Sequence, residues 1–250
     1  QSFIQIQHMK DRFSQSRRNL LSMMAGLPIA SSLAGKPGLA DIAEVLSSGL
    51  PDKALFDIKG TYINAAYVHP MSKGSFQAIG AYLNERMFNG QLPRYDMDEN
   101  RREAKNLFAR LINAEPEEIA WVPSTMAGEN FIVNGLSLPG SRGRVVTDAY
   151  HFSGSLYLYN ELAKQGLDLQ VIKPRDNRIY YEDMEAAITP GTKLVAVSLV
   201  SAYNGFQHDL KKLCEIAHAK NVLVFADIIQ AAGAVPSDVK DCGVDFCACA

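Results

Sequence analysis

The apolar run Val222-Leu223-Val224-Phe225-Ala226 reads as a buried strand, yet it ends on Asp227, with Gln230 three residues further on. A carboxylate at such a position loses hydration that only a hydrogen-bond donor or a positive charge restores. Asp227 therefore either caps its own turn or meets a cationic ligand. Two other strand ends offer chemistry of a compatible kind. His151 follows the aliphatic run 144–147 by a few residues, and Ser124-Thr125 follows the run 119–122 and opens a helical segment. Hydroxyls and amides at a helix start suit one phosphate group, through hydrogen bonds and the helix dipole. Each group has a plainer reading as well: Ser124-Thr125 as an ordinary N-cap, His151 as a loop residue, Gln230 as helix surface.

Taken together, a monophosphate anchor, a flat histidine ring and a buried carboxylate with an amide three residues on are what pyridoxal 5′-phosphate requires. The carboxylate keeps the pyridine nitrogen protonated, because an opposite charge in a desolvated site favours the charged form. Other phosphate-bearing ligands are less well served. Neither the G-x-G-x-x-G turn of dinucleotide sites nor the G-x-x-x-x-G-K-[ST] loop of nucleoside triphosphate sites occurs in the chain.

The elements that must position these groups follow a regular pattern. Ser72–Phe88 and Asp98–Ile112 read as helices, with a shorter one at Leu39–Leu46. From there strand and helix alternate: Ile119–Val122, then helix Ala127–Leu136; Arg144–Thr147, then helix Ser155–Gln165; Leu169–Ile172, then helix Tyr181–Ile188. Leu194–Val200, helix Leu210–Lys220, Val222–Ala226 and Phe246–Cys249 complete the series. Such alternation predicts an α/β fold, a mostly parallel sheet with helices on both faces in three layers. Ligands of such sheets gather beyond the carboxyl ends of the strands. The candidate positions are thus Ser124-Thr125, Asp148 to His151, Ser201 to Asn204, and Asp227.

With 250 residues, 47% of them hydrophobic, the chain is long enough for a large core. Its net charge of −2, without a basic stripe, argues against nucleic acid as a partner. The cysteines 214, 242, 247 and 249 lack C-x-x-C spacing and read as small buried hydrophobes; no metal site is expected. Ser16-Arg17-Arg18-Asn19-Leu20-Leu21, followed by a modest apolar run ending in small residues near Ala34, is similar to a twin-arginine export signal. Export is then expected, with Met9 as the natural start and Gln1–His8 ahead of it; otherwise the protein is cytoplasmic. An amphipathic helix with an incidental Arg-Arg pair is the alternative. No apolar run is long enough to hold the mature protein in a membrane.

The segment Asp227-Ile228-Ile229-Gln230-Ala231-Ala232-Gly233 resembles the D-x-x-Q-x-x-G block of class V aminotransferases, the fold-type I pyridoxal-phosphate group that includes cysteine desulfurases and isopenicillin N epimerase-like enzymes. Tyr62-Ile63-Asn64-Ala65-Ala66, Ala114 to Ile119, Ser124 to Asn130, His151 and Ser201 to Phe206 are similar to further blocks in the same order. The resemblance covers roughly residues 55–250. It implies that Asp227 pairs with the pyridine nitrogen, Gln230 bonds the phenolic oxygen and His151 stacks on the ring. It further implies that Ser124, Thr125 and Met126 hold the phosphate, and it adds Asn204 to the cofactor contacts. By this likeness residues 1–40 form the signal and N-terminus, 41–95 a helical segment of the small domain or dimer contact, and 96–250 the cofactor-binding large domain. A homodimer acting on an amino acid, by transamination, epimerisation or lyase chemistry, is implied.

Three departures from the family pattern qualify the expectation. Met126 stands where many relatives have threonine, and Ala202 where desulfurases have a cofactor-contacting asparagine, which favours a reaction other than desulfuration. The Schiff-base lysine of the family would fall a few residues beyond Ala250, and Lys240 precedes the last strand. The expectation is an N-terminal portion of such an enzyme, or alternatively a degenerate, non-catalytic copy of the fold.

Overall fold

The structure is a computed structural model that describes residues 2–6, 53–88 and 94–250. Two compact units emerge, one of Gln1–Asp11 with Lys105–Ala250 and the other of Arg12–Ala104. The arginine pair, its apolar run and the helix expected at Leu39–Leu46 lie outside the described residues. In the second unit a short 3-10 turn at Lys53–Leu55 precedes helix α1 (Lys73–Phe88), which has no buried residue. Helix α2 (Arg94–Ile112) begins four residues before its expected start. No helix among the described residues is long and apolar enough to cross a membrane.

The first unit carries a seven-stranded sheet. Its strands are β1 (Ser2–Ile6), β2 (Ile119–Val122), β3 (Arg144–Asp148), β4 (Asp168–Ile172), β5 (Thr192–Ser198), β6 (Leu223–Asp227) and β7 (Phe246–Cys249). They lie in the order β2-β1-β7-β6-β5-β3-β4. All pairs from β7 through β4 are parallel, whereas β1 runs antiparallel to both β2 and β7. The mostly parallel sheet agrees with the expected fold class. β1 was not anticipated, since Gln1–His8 was set ahead of the natural start. The physical reason is local: Phe3, Ile4 and Ile6 are strand-forming residue types, and they give β2 the only strand neighbour it has among the described residues.

The connecting helices are α3 (Thr125–Gly135), α4 (Ser153–Lys164), α5 (Tyr181–Ala187), α6 (Leu210–His218) and the single turn α7 (Val239–Cys242). Strand periodicity of two sorts the core into two halves. Val146, Val195, Val197, Val224 and Ala226 pack with Ile112 of α2, Met184 of α5 and Leu213 of α6. Their neighbours Val145, Leu194, Ala196 and Phe225 face the other way, onto Val133 of α3 and Tyr159 and Leu162 of α4. The sheet is thus the middle of three layers. Along β3 the chain steps outward to β4 and then returns to the other side with β5, so the crevice between β3 and β5 is where the winding reverses.

Candidate active site at the carboxyl ends of the strands

Register brings the tips of three strands level. Ser198 of β5 pairs with Asp227 of β6, which pairs in turn with Ala248 of β7. Alternation then turns Ser198 and Asp227 to the same face as Phe225, toward α3 and α4. Asp227 is 3% exposed and accepts a hydrogen bond from the Ile229 amide at 2.9 Å. Burial pushes its carboxyl up to about 6, with the Glu129 carboxylate adding to the rise while the Ile229 amide and His151 oppose it. No cation lies within ion-pair distance of Asp227 among the described residues.

His151 reaches the same face from the turn after β3 and is fully buried. Its Nδ1 lies 2.9 Å from Ser198 Oγ across the β3/β5 crevice, and its Nε2 lies 3.3 Å from Glu129 Oε1. The rings of Tyr159 and Phe225 flank it, each with its centroid 6.4 Å away. Glu129, on α3, also accepts from the Ser155 hydroxyl at 2.6 Å. Tyr159 is held protonated well above its usual range, first by burial and then by the nearby Glu129 charge.

Ser124 caps α3, its hydroxyl accepting from the Ala127 amide at 3.1 Å. Thr125, the first residue of α3, is 8% exposed, and its hydroxyl oxygen is buried without a protein partner. The Met126 side chain turns toward α4, with its sulfur 3.6 Å from Ser155 Oγ, so only its backbone amide faces the helix start. Gln230 is half-buried in the turn after β6, three residues beyond Asp227. Asn204 is exposed and accepts from the Phe206 amide at 3.0 Å, which makes it a turn cap. The structure therefore brings His151 and Asp227 into one buried cluster, sets Ser124 and Thr125 at a helix start, and leaves the Asn204 side chain on the surface.

Sequence reasoning passed over Glu129 as a partner and Ser198 altogether. The stripe Thr125, Gly128, Glu129, Ile132 and Val133 is the buried face of α3 at helical spacing, so a carboxylate on it calls for partners. Ser198 was hidden by a boundary: the apolar run continues through Leu199 and Val200, although the strand ends at Ser198. His208 is the other omission. On the opposite face of the sheet its Nε2 lies 3.1 Å from Asp148 Oδ2, and both residues are buried.

Pyridoxal 5′-phosphate fits these residues on two observations. Among the described residues the buried Thr125 hydroxyl lacks a partner where a phosphate would supply one, and Asp227 has no cation within ion-pair distance where a pyridinium nitrogen would supply one. The geometry is that of an α/β protein with a candidate site at its strand ends, where a helix start suits an anion and a buried carboxylate suits a cation. A profile of the family described as aminotransferase class-V matches residues 88–250. The chain is 32% identical over 184 residues to the uncharacterized aminotransferase YcbU of Bacillus subtilis strain 168, a match that covers 74% of this chain and 48% of that protein. It is 28% identical to the cysteine desulfurase IscS of Shewanella sediminis, over 57% of this chain and 36% of that one. Among solved structures, the cysteine desulfurase CsdA of Escherichia coli superposes with a TM-score of 0.69 at 21% identity, over 79% of this chain and 53% of that one. The chain belongs to the class V aminotransferase family, whose enzymes depend on pyridoxal 5′-phosphate. It spans about half the length, or less, of the curated relatives it matches.

Proposed function

We propose that this chain is the cofactor-holding core of a pyridoxal-phosphate enzyme that acts on an amino acid. The observation that carries the reading is Asp227: a carboxylate 3% exposed, raised to about 6, and with no cation within ion-pair distance among the described residues. When bound, the cofactor supplies an electron sink for the substrate's α-carbon. Asp227 holds a proton on the pyridine nitrogen, and Gln230 donates to the phenolic oxygen. The Ser124 and Thr125 hydroxyls and the Met126 amide bind the phosphate, with His151 against the ring and Asn204 at the rim. Aminotransferase and cysteine desulfurase relatives both support an amino acid substrate. Ala202, in place of the desulfurase asparagine, favours transamination, epimerisation or another lyase reaction over desulfuration.

The test uses the full-length protein stripped of cofactor. Pyridoxal 5′-phosphate should bind with a visible absorbance band and raise the melting temperature, whereas pyridoxal, without the phosphate, should bind far more weakly. Equal binding of the two would remove the phosphate site, and no binding of either would remove the reading.

We further propose export directed by Arg17-Arg18, since a protein loaded with cofactor inside the cell must cross already folded. Replacing both with lysine should keep the protein in the cytoplasm of its native host; the same location for parent and variant would rule this out. Cleavage near Ala34 would also detach Ser2–Ile6, so a removed leader and a retained β1 exclude one another.

A further inference from the structure

The buried face of α3 carries one carboxylate, and both of its oxygens are engaged. Ser155 donates to Glu129 Oε2 at 2.6 Å, and His151 Nε2 lies 3.3 Å from Oε1. Ser155 has a single proton, and its other neighbour, the Met126 sulfur at 3.6 Å, is a weak acceptor. The hydroxyl proton therefore goes to the carboxylate. An ionised carboxylate is acceptor-only, so the hydrogen of the Glu129–His151 contact belongs to Nε2. On the far side of the ring, Ser198 Oγ accepts from the Phe152 amide at 3.2 Å and keeps its own proton for Nδ1 at 2.9 Å. With Glu129 ionised and the imidazole neutral, one arrangement of protons satisfies all four contacts.

We propose that Glu129 is a positioning residue that fixes His151 in the tautomer protonated at Nε2, with Ser198 donating to Nδ1. The inference rests on the reading of His151 as the residue that lies against the cofactor ring. Its consequence is an imidazole that can neither flip nor change tautomer without breaking a buried hydrogen bond. A plane held in that way meets the cofactor in one orientation, and ordering of the ring is complete before the ligand arrives. The contact joins α3, which supplies the phosphate end of the site, to the β3 turn. Ser198, paired in register with Asp227, carries the same chain of contacts to the pyridine end.

The proton position is read directly by long-range nitrogen–proton correlation on the full-length, cofactor-free protein labelled in its histidine rings, at about pH 8, where an ordinary imidazole is neutral. The His151 pattern should be that of the Nε2–H form alone. In Glu129→Gln the amide can either accept or donate, so the single pattern should give way to a mixture or to the Nδ1–H form. Affinity for pyridoxal 5′-phosphate should fall about fivefold, the size of one net hydrogen bond. An Nδ1–H pattern in the parent overturns the proposal, as does an Nε2–H pattern that Glu129→Gln leaves unchanged. The parent spectrum decides the matter even where the variant fails to fold. A parent that shows the expected pattern and its loss in Glu129→Gln, yet binds no cofactor, leaves the role of Glu129 standing and removes the cofactor reading instead.

Discussion

Asp227→Asn in the full-length enzyme should fold, bind pyridoxal 5′-phosphate more weakly and lose about 100- to 1,000-fold in single-turnover reaction with amino acids, the scale of removing one preorganised electrostatic contact. The amide preserves the shape at the end of β6 and removes the charge that holds the ring nitrogen protonated. Asp227→Glu should retain more activity than Asn despite its poorer fit, since it keeps the carboxylate. Reaction of Asp227→Asn at the parent's rate would reduce Asp227 to a turn cap for the Ile229 amide. The same pair of proteins makes a statement about stability without cofactor. The folded-state carboxyl is raised from 3.8 to about 6, so the folded chain binds that proton more tightly than the unfolded one. Below pH ~4 the group is protonated in both states and costs nothing; from there to pH ~6 stability falls, because the unfolded chain gives up the proton freely while the dry folded site retains it. Above that the full penalty of about 3 kcal/mol persists. Urea unfolding should therefore find the cofactor-free Asn variant gaining on the parent between those pH values. A difference between the two that is flat with pH would contradict the burial of an unpartnered charge.

Asp148→Ala should be the most destabilising single change outside the cofactor site, by about 3–5 kcal/mol. The carboxylate is fully buried and serves two donors, the Tyr150 amide at 2.7 Å and His208 Nε2 at 3.1 Å. Truncation leaves both without an acceptor in a part of the core where Phe206 and Tyr181 pack on the imidazole, with Phe206 edge-on at 4.9 Å. For a unit of this size the loss corresponds to a fall in melting temperature of about 10 °C. Replacing the partner as well, in Asp148→Ala with His208→Leu, should recover part of it, because an apolar pair leaves one fewer polar group stranded. Urea unfolding of the two single variants and the double variant completes the cycle. A cost below 1 kcal/mol for Asp148→Ala would mean that water replaces the carboxylate there.

The layout of the sheet was legible because each strand is a short aliphatic run bounded by turn residues, and each helix shows its own spacing. Asp227 and His151 stood out as polar residues at the ends of such runs. What stayed hidden was pairing. Ser198 and His208 meet their partners only because β3 lies beside β5, and Glu129 meets Ser155 and His151 because α3 packs against α4 and the β3 turn; both adjacencies belong to the tertiary arrangement, which local pattern does not encode. Ser198 was further masked when Leu199 and Val200 extended the apparent strand; in the structure Leu199 donates to the Asp227 carbonyl and Val200 bridges Gln207. His208 sat in the polar stretch Asn204 to Asp209, which reads as a solvated loop although its histidine is 2% exposed. Asn204, chosen from the same stretch by likeness to relatives, is a surface turn cap.

The sequence contains four thiols, and the fold covers three of them fully and the fourth in part. Cys214, Cys247 and Cys249 are buried and Cys242 half-buried, all without a disulfide. Burial pushes Cys242 and Cys249 up to about 11 and Cys214 higher still. At pH 7 about one molecule in ten thousand carries the nucleophilic thiolate at a group titrating near 11. Oxidants and alkylating agents thus meet these sulfurs chiefly in molecules whose sheet has opened. Cys249 at the tip of β7 and Cys214 inside α6 consequently act as two internal clocks, one for loosening beside the ligand cluster and one for detachment of the far helical layer.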